Sequence, residues 1–223
     1  MDDLKRKVGF RAAEFVEDGM TVGLGTGSTA HYMILALGER AKKGLKINCV
    51  ATSLASEKTA RECGLKIVEF KDVQRIDLSI DGADEIDVNM NLIKGGGGAL
   101  LREKIIENFS EKLVIIVDES KNVELLGDFK VPVEVTKFAS ELTAKKIESL
   151  GGVPKLRIKD GQTFVSDNGN YIFDCDFGKI ENPKELCQRL NMIPGVVENG
   201  IFPDMADTII IAHKDGKISE KNR

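Results

Sequence analysis

Short apolar runs alternate with helical patterns along the first half of the chain, and this alternation limits the possible folds more than any other feature. Strand patterns fall at residues 20–24, 47–51, 66–70, 76–80 and 113–117. Helical patterns precede and separate them, at residues 4–17, 29–43, 55–63 and 99–109. Strands that alternate with helices pair in parallel, because each helix carries the chain back to the starting edge of the sheet. The alternation therefore predicts an α/β fold with a doubly wound, mostly parallel, Rossmann-like sheet.

The rhythm of the sequence changes near residue 130. A strand, a helix, two strands, a helix and a strand follow, at residues 131–135, 139–150, 156–158, 171–174, 183–190 and 196–201. This order is the split βαβ arrangement of a ferredoxin-like α+β domain. The apolar run at 207–212 predicts a strand that returns to the first sheet. We therefore expect a Rossmann-like catalytic domain of residues 1–130 plus 204–223, with a smaller ferredoxin-like domain of residues 131–203 inserted in it.

Composition excludes several classes of function. The 223 residues carry a formal net charge of -4, and a nucleic-acid binder needs an excess of clustered Lys and Arg. No apolar run approaches the ~20 residues of a membrane span, and the first residues lack the apolar core of a signal peptide. The four cysteines are widely spaced and only two histidines occur, so no thiol or imidazole metal site is expected. We expect a cytoplasmic protein, without nucleic-acid or membrane partners, whose chemistry depends on carboxylates and lysine.

A loop of glycine and hydroxyl residues separates the first predicted strand from the next helix. Residues 25–30, Gly-Thr-Gly-Ser-Thr-Ala, match the G-x-G-x-x-G/A pattern of dinucleotide sites. Those sites also carry an acid at the end of the second strand for the adenosine ribose, where this chain has Thr52 and Ser53. Backbone N–H groups and hydroxyls at a helix N-terminus suit one terminal phosphate instead. A phosphate site is the favoured prediction, and a dinucleotide site or a plain tight turn are the alternatives.

Residues 81–103 gather acids, a lysine and four consecutive glycines just after a predicted strand. Asp81, Asp84 and Glu85 follow the strand pattern at 76–80, and ligands of open α/β sheets bind beyond the carboxyl ends of the strands. Lys94 precedes the glycines and a helical pattern, an arrangement that lets the backbone approach an anion. A reaction site is therefore predicted. The alternatives are a turn held by Asp side chains, and a magnesium site, which the neighbouring lysine disfavours.

Three further charged residues are candidates for the same site. Glu103 lies among leucines and isoleucines of the helical pattern at 99–109, and partial burial of a carboxylate makes it a stronger base. Lys121 follows the strand pattern at 113–117, and Lys5 lies near the start of the first helix. A solvated surface position is the alternative for each of the three.

Taken together, four motifs closely resemble those of ribose-5-phosphate isomerase of the A type. They occupy residues 25–29, 81–87, 94–104 and 118–121. The likeness continues through residues 131–135, 167–170 and 193–197, so it covers nearly the whole chain.

The resemblance implies an isomerase of carbohydrate metabolism that interconverts ribose 5-phosphate and ribulose 5-phosphate in the pentose phosphate pathway. It implies no cofactor and no metal, a small-molecule sugar phosphate as the ligand, and a homodimer or homotetramer. Glu103 is then the general base, and Lys94 stabilises the intermediate. Asp81 and Asp84 act at the sugar oxygens and in ring opening. The implied substrate-binding residues are Lys5, Thr26, Gly27, Ser28, Thr29, Gly82, Ala83, Gly95, Gly96, Gly97 and Lys121.

The chemistry of the residues agrees with this implication. An aldose–ketose isomerisation moves a proton between C1 and C2, so it needs a carboxylate base and a group that stabilises the developing oxyanion. Glu103 and Lys94 can supply these two functions. A non-catalytic sugar-phosphate-binding module is the alternative outside the enzymes, and it would need no base such as Glu103. A nicotinamide oxidoreductase is the remaining alternative.

Overall fold

The computed structural model describes residues 2–223, which form six α-helices and sixteen strands. The helices are α1 Asp2–Ala13, α2 Ser28–Lys42, α3 Leu54–Glu62, α4 Leu100–Asn108, α5 Ser140–Glu148 and α6 Pro183–Asn191. The first eight strands are β1 Thr21–Leu24, β2 Asn48–Ala51, β3 Lys66–Ile67, β4 Leu78–Asp81, β5 Glu85–Ile86, β6 Leu92–Ile93, β7 Leu113–Asp118 and β8 Val131–Val135. The others are β9 Val153–Leu156, β10 Ile158–Lys159, β11 Gln162–Thr163, β12 Tyr171–Asp176, β13 Val196–Asn199, β14 Ile201–Phe202, β15 Thr208–Ala212 and β16 Ile218–Asn222.

The chain divides into two compact units. The first comprises residues 2–83, Arg102–Lys121 and Met205–Arg223, and the second comprises Asp84–Leu101 and Asn122–Asp204. The second unit therefore begins at residue 84, whereas the sequence places the start of the inserted domain at residue 131. Its early segment carries the strands β5 and β6, which have two residues each and leave no readable apolar pattern. The domain limits stay a prediction.

The first unit contains a seven-stranded sheet in the order β16-β15-β7-β4-β1-β2-β3. Its strands pair in parallel except for β16, which is antiparallel to β15. All six residues of β7 are buried, as expected of a central strand in a sheet with both faces covered. The prediction of a doubly wound, mostly parallel sheet is confirmed, and the predicted last strand joins it as β15. Strand β16 was not predicted, because its residues are all exposed and give no apolar signal.

The second unit contains a four-stranded antiparallel sheet in the order β13-β8-β12-β9. Counted along the chain these are the fourth, first, third and second strands, with α5 and α6 as the connecting helices. That arrangement is the ferredoxin-like topology that the sequence predicts.

A second, three-stranded sheet of the same unit has the order β14-β6-β5. The sequence predicts one strand over 196–201, but the structure separates β13 from β14 at Gly200. A side chain at Gly200 would come within 2.3 Å of the Lys94 carbonyl oxygen.

Among the helices of residues 2–223, none combines the length and the apolar character that a membrane crossing requires.

Candidate active site

The predicted site residues fall in both compact units. The first unit holds Lys5, Thr26, Gly27, Ser28, Thr29, Asp81, Gly82, Ala83, Glu103 and Lys121, and the second holds Asp84, Lys94, Gly95, Gly96 and Gly97. The chain passes from one unit to the other between Ala83 and Asp84, and again between Leu101 and Arg102.

In the first unit, the loop between β1 and α2 contacts the last residue of β4. The Asp81 side chain is 1% exposed, and its Oδ1 accepts the N–H groups of Thr26 at 2.8 Å and Gly82 at 2.7 Å. Hydrogen bonds from backbone donors to a carboxylate are strong and directional. They hold Asp81 in one orientation at the carboxyl end of its strand, where the sequence predicts ligand binding.

The loop between β1 and α2 contains Gly25 and Gly27, and each position requires glycine for a different reason. A Cβ on Gly25 would lie 2.1 Å from Asp81 Oδ1, so only a residue without a side chain fits beside the carboxylate. Gly27 has a φ of 106° at the N-cap of α2, a conformation that L side chains rarely adopt. The loop therefore combines a close approach with a turn into a helix N-terminus.

Glu103 lies in the first turn of α4 and is 4% exposed. Its carboxylate belongs to a cluster with Asp81 and Glu107, in which one oxygen from each residue lies within 4.8 Å of the others. Glu107, which is 3% exposed, was not predicted as a site residue. The available signal was its spacing of four residues from Glu103, which places both on one side of a helix. Such an oxygen set has the chemistry to bind a divalent cation and equally to accept a proton from carbon.

The hydroxyl groups of the loop have separate surroundings. The Thr26 hydroxyl lies 2.7 Å from Thr52 Oγ1 and 2.8 Å from Ser53 Oγ, so it ties the loop to the segment after β2. Thr52 and Ser53 are the residues found where a dinucleotide site would carry an acid. Ser28, the first residue of α2, is exposed and accepts a hydrogen bond from Lys5 Nζ at 2.9 Å. A lysine and a hydroxyl thus meet at the helix N-terminus, as a phosphate would require.

Lys121 lies in the short 3-10 turn Glu119–Lys121 that follows β7. Since β7 pairs in parallel with β4, Lys121 is at the same edge of the sheet as Asp81. Lys121 is half-buried. The sequence placed it correctly at the carboxyl end of its strand.

In the second unit, Lys94 directly follows β6 and is 2% exposed. Its backbone N–H donates to the Gly200 carbonyl at 2.9 Å. Its Nζ lies 5.5 Å from the centre of the Phe202 ring, a cation–π geometry. Burial of a long cationic side chain costs free energy, so the buried Lys94 remains a candidate for a functional role.

The glycine loop that follows Lys94 is packed closely against Asp84. The Gly96 N–H donates to Asp84 Oδ2 at 2.7 Å, and a Cβ on Gly96 would lie 2.6 Å from Asp84 Oδ1. Gly95 has a φ of 95°, and a Cβ there would lie 2.8 Å from Leu100 Cβ. The sequence predicts that these glycines allow a ligand to approach the backbone. The structure adds that at Gly95 and Gly96 the protein's own atoms already exclude a side chain.

Two contacts of the second unit concern residues outside the predicted set. The Glu85 carboxylate accepts the N–H groups of Gly127 and Phe129, so this acid holds a loop of its own unit. Arg157 donates to the carbonyl oxygens of Gly95 and Gly96. No sequence signal pointed to Arg157, because its partners lie about sixty residues away in the chain.

The fold and these side chains together indicate a class of protein. A parallel α/β sheet with buried carboxylates at its strand ends, a glycine and hydroxyl loop at a helix N-terminus and a buried lysine are typical of enzymes that act on small phosphorylated metabolites. A model of the family described as ribose 5-phosphate isomerase A (phosphoriboisomerase A) matches residues 48–216. The chain belongs to the ribose 5-phosphate isomerase A family, which confirms the resemblance of its motifs.

Relatives and solved structures agree with this assignment. A ribose-5-phosphate isomerase A of Oceanobacillus iheyensis is 50% identical over 96% of this chain and 96% of its own length. The structure of ribose 5-phosphate isomerase from Plasmodium falciparum superimposes with a TM-score of 0.97 at 40% identity, over 100% of this chain and 99% of that one. A D-ribose-5-phosphate isomerase in complex with phospho-erythronic acid gives a TM-score of 0.95 at 39% identity, over 99% of this chain and 98% of that one.

Proposed function

We propose that this protein is an isomerase that interconverts D-ribose 5-phosphate and D-ribulose 5-phosphate through an enediolate. The observation that carries the proposal is the buried Glu103 carboxylate beside Asp81, at the strand edge where the Thr26 loop meets the N-terminus of α2. Family membership supplies the substrate. The relative with bound phospho-erythronic acid supports the reaction type, because the planar carboxylate of a phosphorylated sugar acid resembles an enediolate.

Glu103 is proposed as the base that moves the proton on carbon. It takes the proton from C2 of the open-chain aldose, and the electron pair of that bond forms the C1–C2 double bond while O1 becomes an oxyanion. Return of the proton from Glu103 to C1, with transfer of the O2 proton to O1, gives the ketose. A carboxylate shielded from water is a stronger base than an exposed one, and Glu103 is almost fully buried.

The phosphate is proposed to bind at the loop and helix N-terminus of the first unit. Thr26, Gly27, Ser28 and Thr29 would supply backbone N–H groups and hydroxyls, with the positive end of the α2 dipole behind them. Lys5 already contacts Ser28, and Lys121, Gly82 and Ala83 complete the proposed contacts of this unit. Anchoring the phosphate fixes the distance from C5 to the reacting carbons, which lowers the entropy cost of the reaction.

The residues of the second unit keep the roles that the family resemblance implies. Lys94 is proposed to stabilise the oxyanion of the enediolate, since a buried cation interacts strongly with developing negative charge. Asp84, with Asp81, is proposed to move protons at the sugar oxygens and to open the ring. Gly95, Gly96 and Gly97 are proposed to contact substrate through their backbone, and Gly96 and Gly97 are exposed.

The reaction is proposed to need no metal and no cofactor, and the cellular setting is part of the same proposal. An enediolate can be stabilised by Lys94 alone, although the oxygens of Asp81, Glu103 and Glu107 have a spacing that could hold a cation. We further propose that the protein acts in the pentose phosphate pathway of the cytoplasm, as a homodimer or homotetramer. Family membership supports these points.

The decisive experiment measures conversion of ribose 5-phosphate to the ketose by the purified protein, with and without EDTA. Wild type is expected to be equally active in both, and Glu103→Gln is expected to lose at least about 10³-fold in kcat with little change in KM. A matched control is Glu111→Gln, an exposed carboxylate outside the site, which should leave kcat unchanged.

Three results would oppose the proposal. Near-full turnover by Glu103→Gln would remove this residue from the role of base, and loss of activity in EDTA would favour the carboxylate cluster as a metal site. Tight phosphate-dependent binding of the sugar without any turnover would favour the alternative of a non-catalytic binding module.

A further inference from the structure

Arg157 lies directly after β9 and makes contacts on three sides within the second unit. Its Nη1 donates to the carbonyl oxygens of Gly95 at 3.0 Å and Gly96 at 3.2 Å. Its Nε donates to Asp174 Oδ2 at 3.0 Å, and Nη2 donates to the other oxygen of the same carboxylate. Its Cζ lies 5.7 Å from the centre of the Phe164 ring. Asp174 and Phe164 therefore hold the guanidinium in a position from which it donates hydrogen bonds to the glycine loop.

These contacts fix the orientation of one peptide group between Arg157 and Asp84. In a trans peptide the C=O and N–H bonds point in opposite directions, and no cis peptide occurs within residues 2–223. The peptide that joins Gly95 and Gly96 binds Arg157 through its carbonyl and Asp84 Oδ2 through its N–H. Arg157 on one side therefore determines how the Asp84 carboxylate is held on the other.

Arg157 also orients the next peptide group, which joins Gly96 and Gly97. The Gly96 carbonyl is also directed to Arg157, so the N–H of Gly97 in the same peptide is directed the opposite way, as is the N–H of Gly96. Gly95–Gly98 would otherwise be among the most mobile segments of a chain, because glycine has the widest choice of backbone angles. The guanidinium removes that freedom at two consecutive peptides.

We propose that Arg157 is a positioning residue for the isomerisation, which orients the glycine loop and, through the Gly96 N–H, the Asp84 carboxylate. It touches neither substrate nor reacting atoms in this role. The proposal rests on the proposed function, since it requires Asp84 to act on the sugar. Lysine cannot replace arginine here, because a single ammonium cannot bind two carbonyls and also pair with both oxygens of Asp174.

The test combines Arg157→Lys with Asp84→Asn in a double-mutant cycle of kcat and KM. Arg157→Lys is expected to lower kcat by about 10- to 100-fold, as for a displacement of a fraction of an ångström at a reacting group, with KM changed less than about 3-fold. Because Arg157 acts through Asp84, the same substitution is expected to have almost no further effect in the Asp84→Asn background. Arg189→Lys, which alters an exposed arginine paired with Glu185, is the control and should match wild type.

The outcomes are separable from those of the proposed function. An inactive wild type would refute the isomerase assignment, whereas an active wild type with unchanged kcat in Arg157→Lys would refute only the role of Arg157. Losses that multiply in the double variant would also overturn the proposal, since they would show that Arg157 and Asp84 act independently of each other. If Arg157→Lys does not fold, as judged by circular dichroism, Asp174→Asn releases the same guanidinium and must show the same loss of kcat and the same non-additivity.

Discussion

Replacing Gly25 with alanine tests whether the orientation of Asp81 matters, because the three atoms nearest to the added Cβ all belong to the Asp81 side chain. The added Cβ would lie 2.1 Å from Asp81 Oδ1, 2.2 Å from its Cγ and 2.5 Å from its Cβ. Ordinary contacts begin near 3.4 Å, so the side chain must retreat by about 1 Å. Rotation of the carboxylate is not sufficient, since the Asp81 Cβ is itself too close.

The expected effects follow from that displacement. Overpacking costs about 1–3 kcal/mol, and weakening the two hydrogen bonds from Thr26 and Gly82 adds about 1 kcal/mol or more. We expect the free energy of unfolding to fall by about 2–4 kcal/mol. A misplacement of about 1 Å at a reacting group lowers turnover by about 10²-fold, so kcat should fall by that factor while the fold persists.

Gly38→Ala separates the two effects, because it overpacks the first unit away from the site. Its added Cβ would lie 2.7 Å from the Cys63 Cβ, between α2 and α3. Both variants should lose stability in urea denaturation followed by circular dichroism. Only Gly25→Ala should lose activity in a ketopentose assay under conditions where both are folded. If Gly25→Ala keeps kcat within about 3-fold of Gly38→Ala, the position of Asp81 is not important for the reaction.

Two further predictions concern a buried lysine and a buried thiol. Lys94→Met removes a cation that is 2% exposed but keeps an unbranched side chain of similar length, so kcat should fall by at least about 10²-fold in the ketopentose assay; a kcat within about 3-fold of wild type would contradict this. Burial raises the pKa of Cys49 to about 12, so at pH 8 only about 1 in 10⁴ of this thiol is ionised. Mass spectrometry after iodoacetamide treatment should find Cys49 modified long after the half-buried Cys187, and equal rates in folded protein would refute the burial argument.

Local sequence patterns predicted the parts of the fold that depend on local chemistry. The alternation of strands and helices indicated the parallel sheet, since an apolar run such as β7 is buried on both faces wherever its neighbours lie. The order of elements after residue 130 likewise indicated the ferredoxin-like sheet. The short strands β5, β6 and β14 could not be predicted, because two residues carry no periodicity, and β14 pairs with β6 from a distant part of the chain.

The candidate site likewise has features that local sequence patterns predict and features that only the folded chain reveals. The sequence singled out Asp81, Glu103 and Lys94 as candidates, because strand ends, glycine runs and family motifs are patterns of neighbouring residues. By itself, the sequence thus determined the class of fold and the family, and it singled out the residues that are proposed to carry the chemistry. Tertiary structure alone decided that Glu107 joins the carboxylates of Asp81 and Glu103, and that Arg157 holds peptides 62 and 61 residues away. The physical reason is that hydrogen bonds and charge clusters depend on distances of a few ångströms between side chains, and only the folded chain sets those distances.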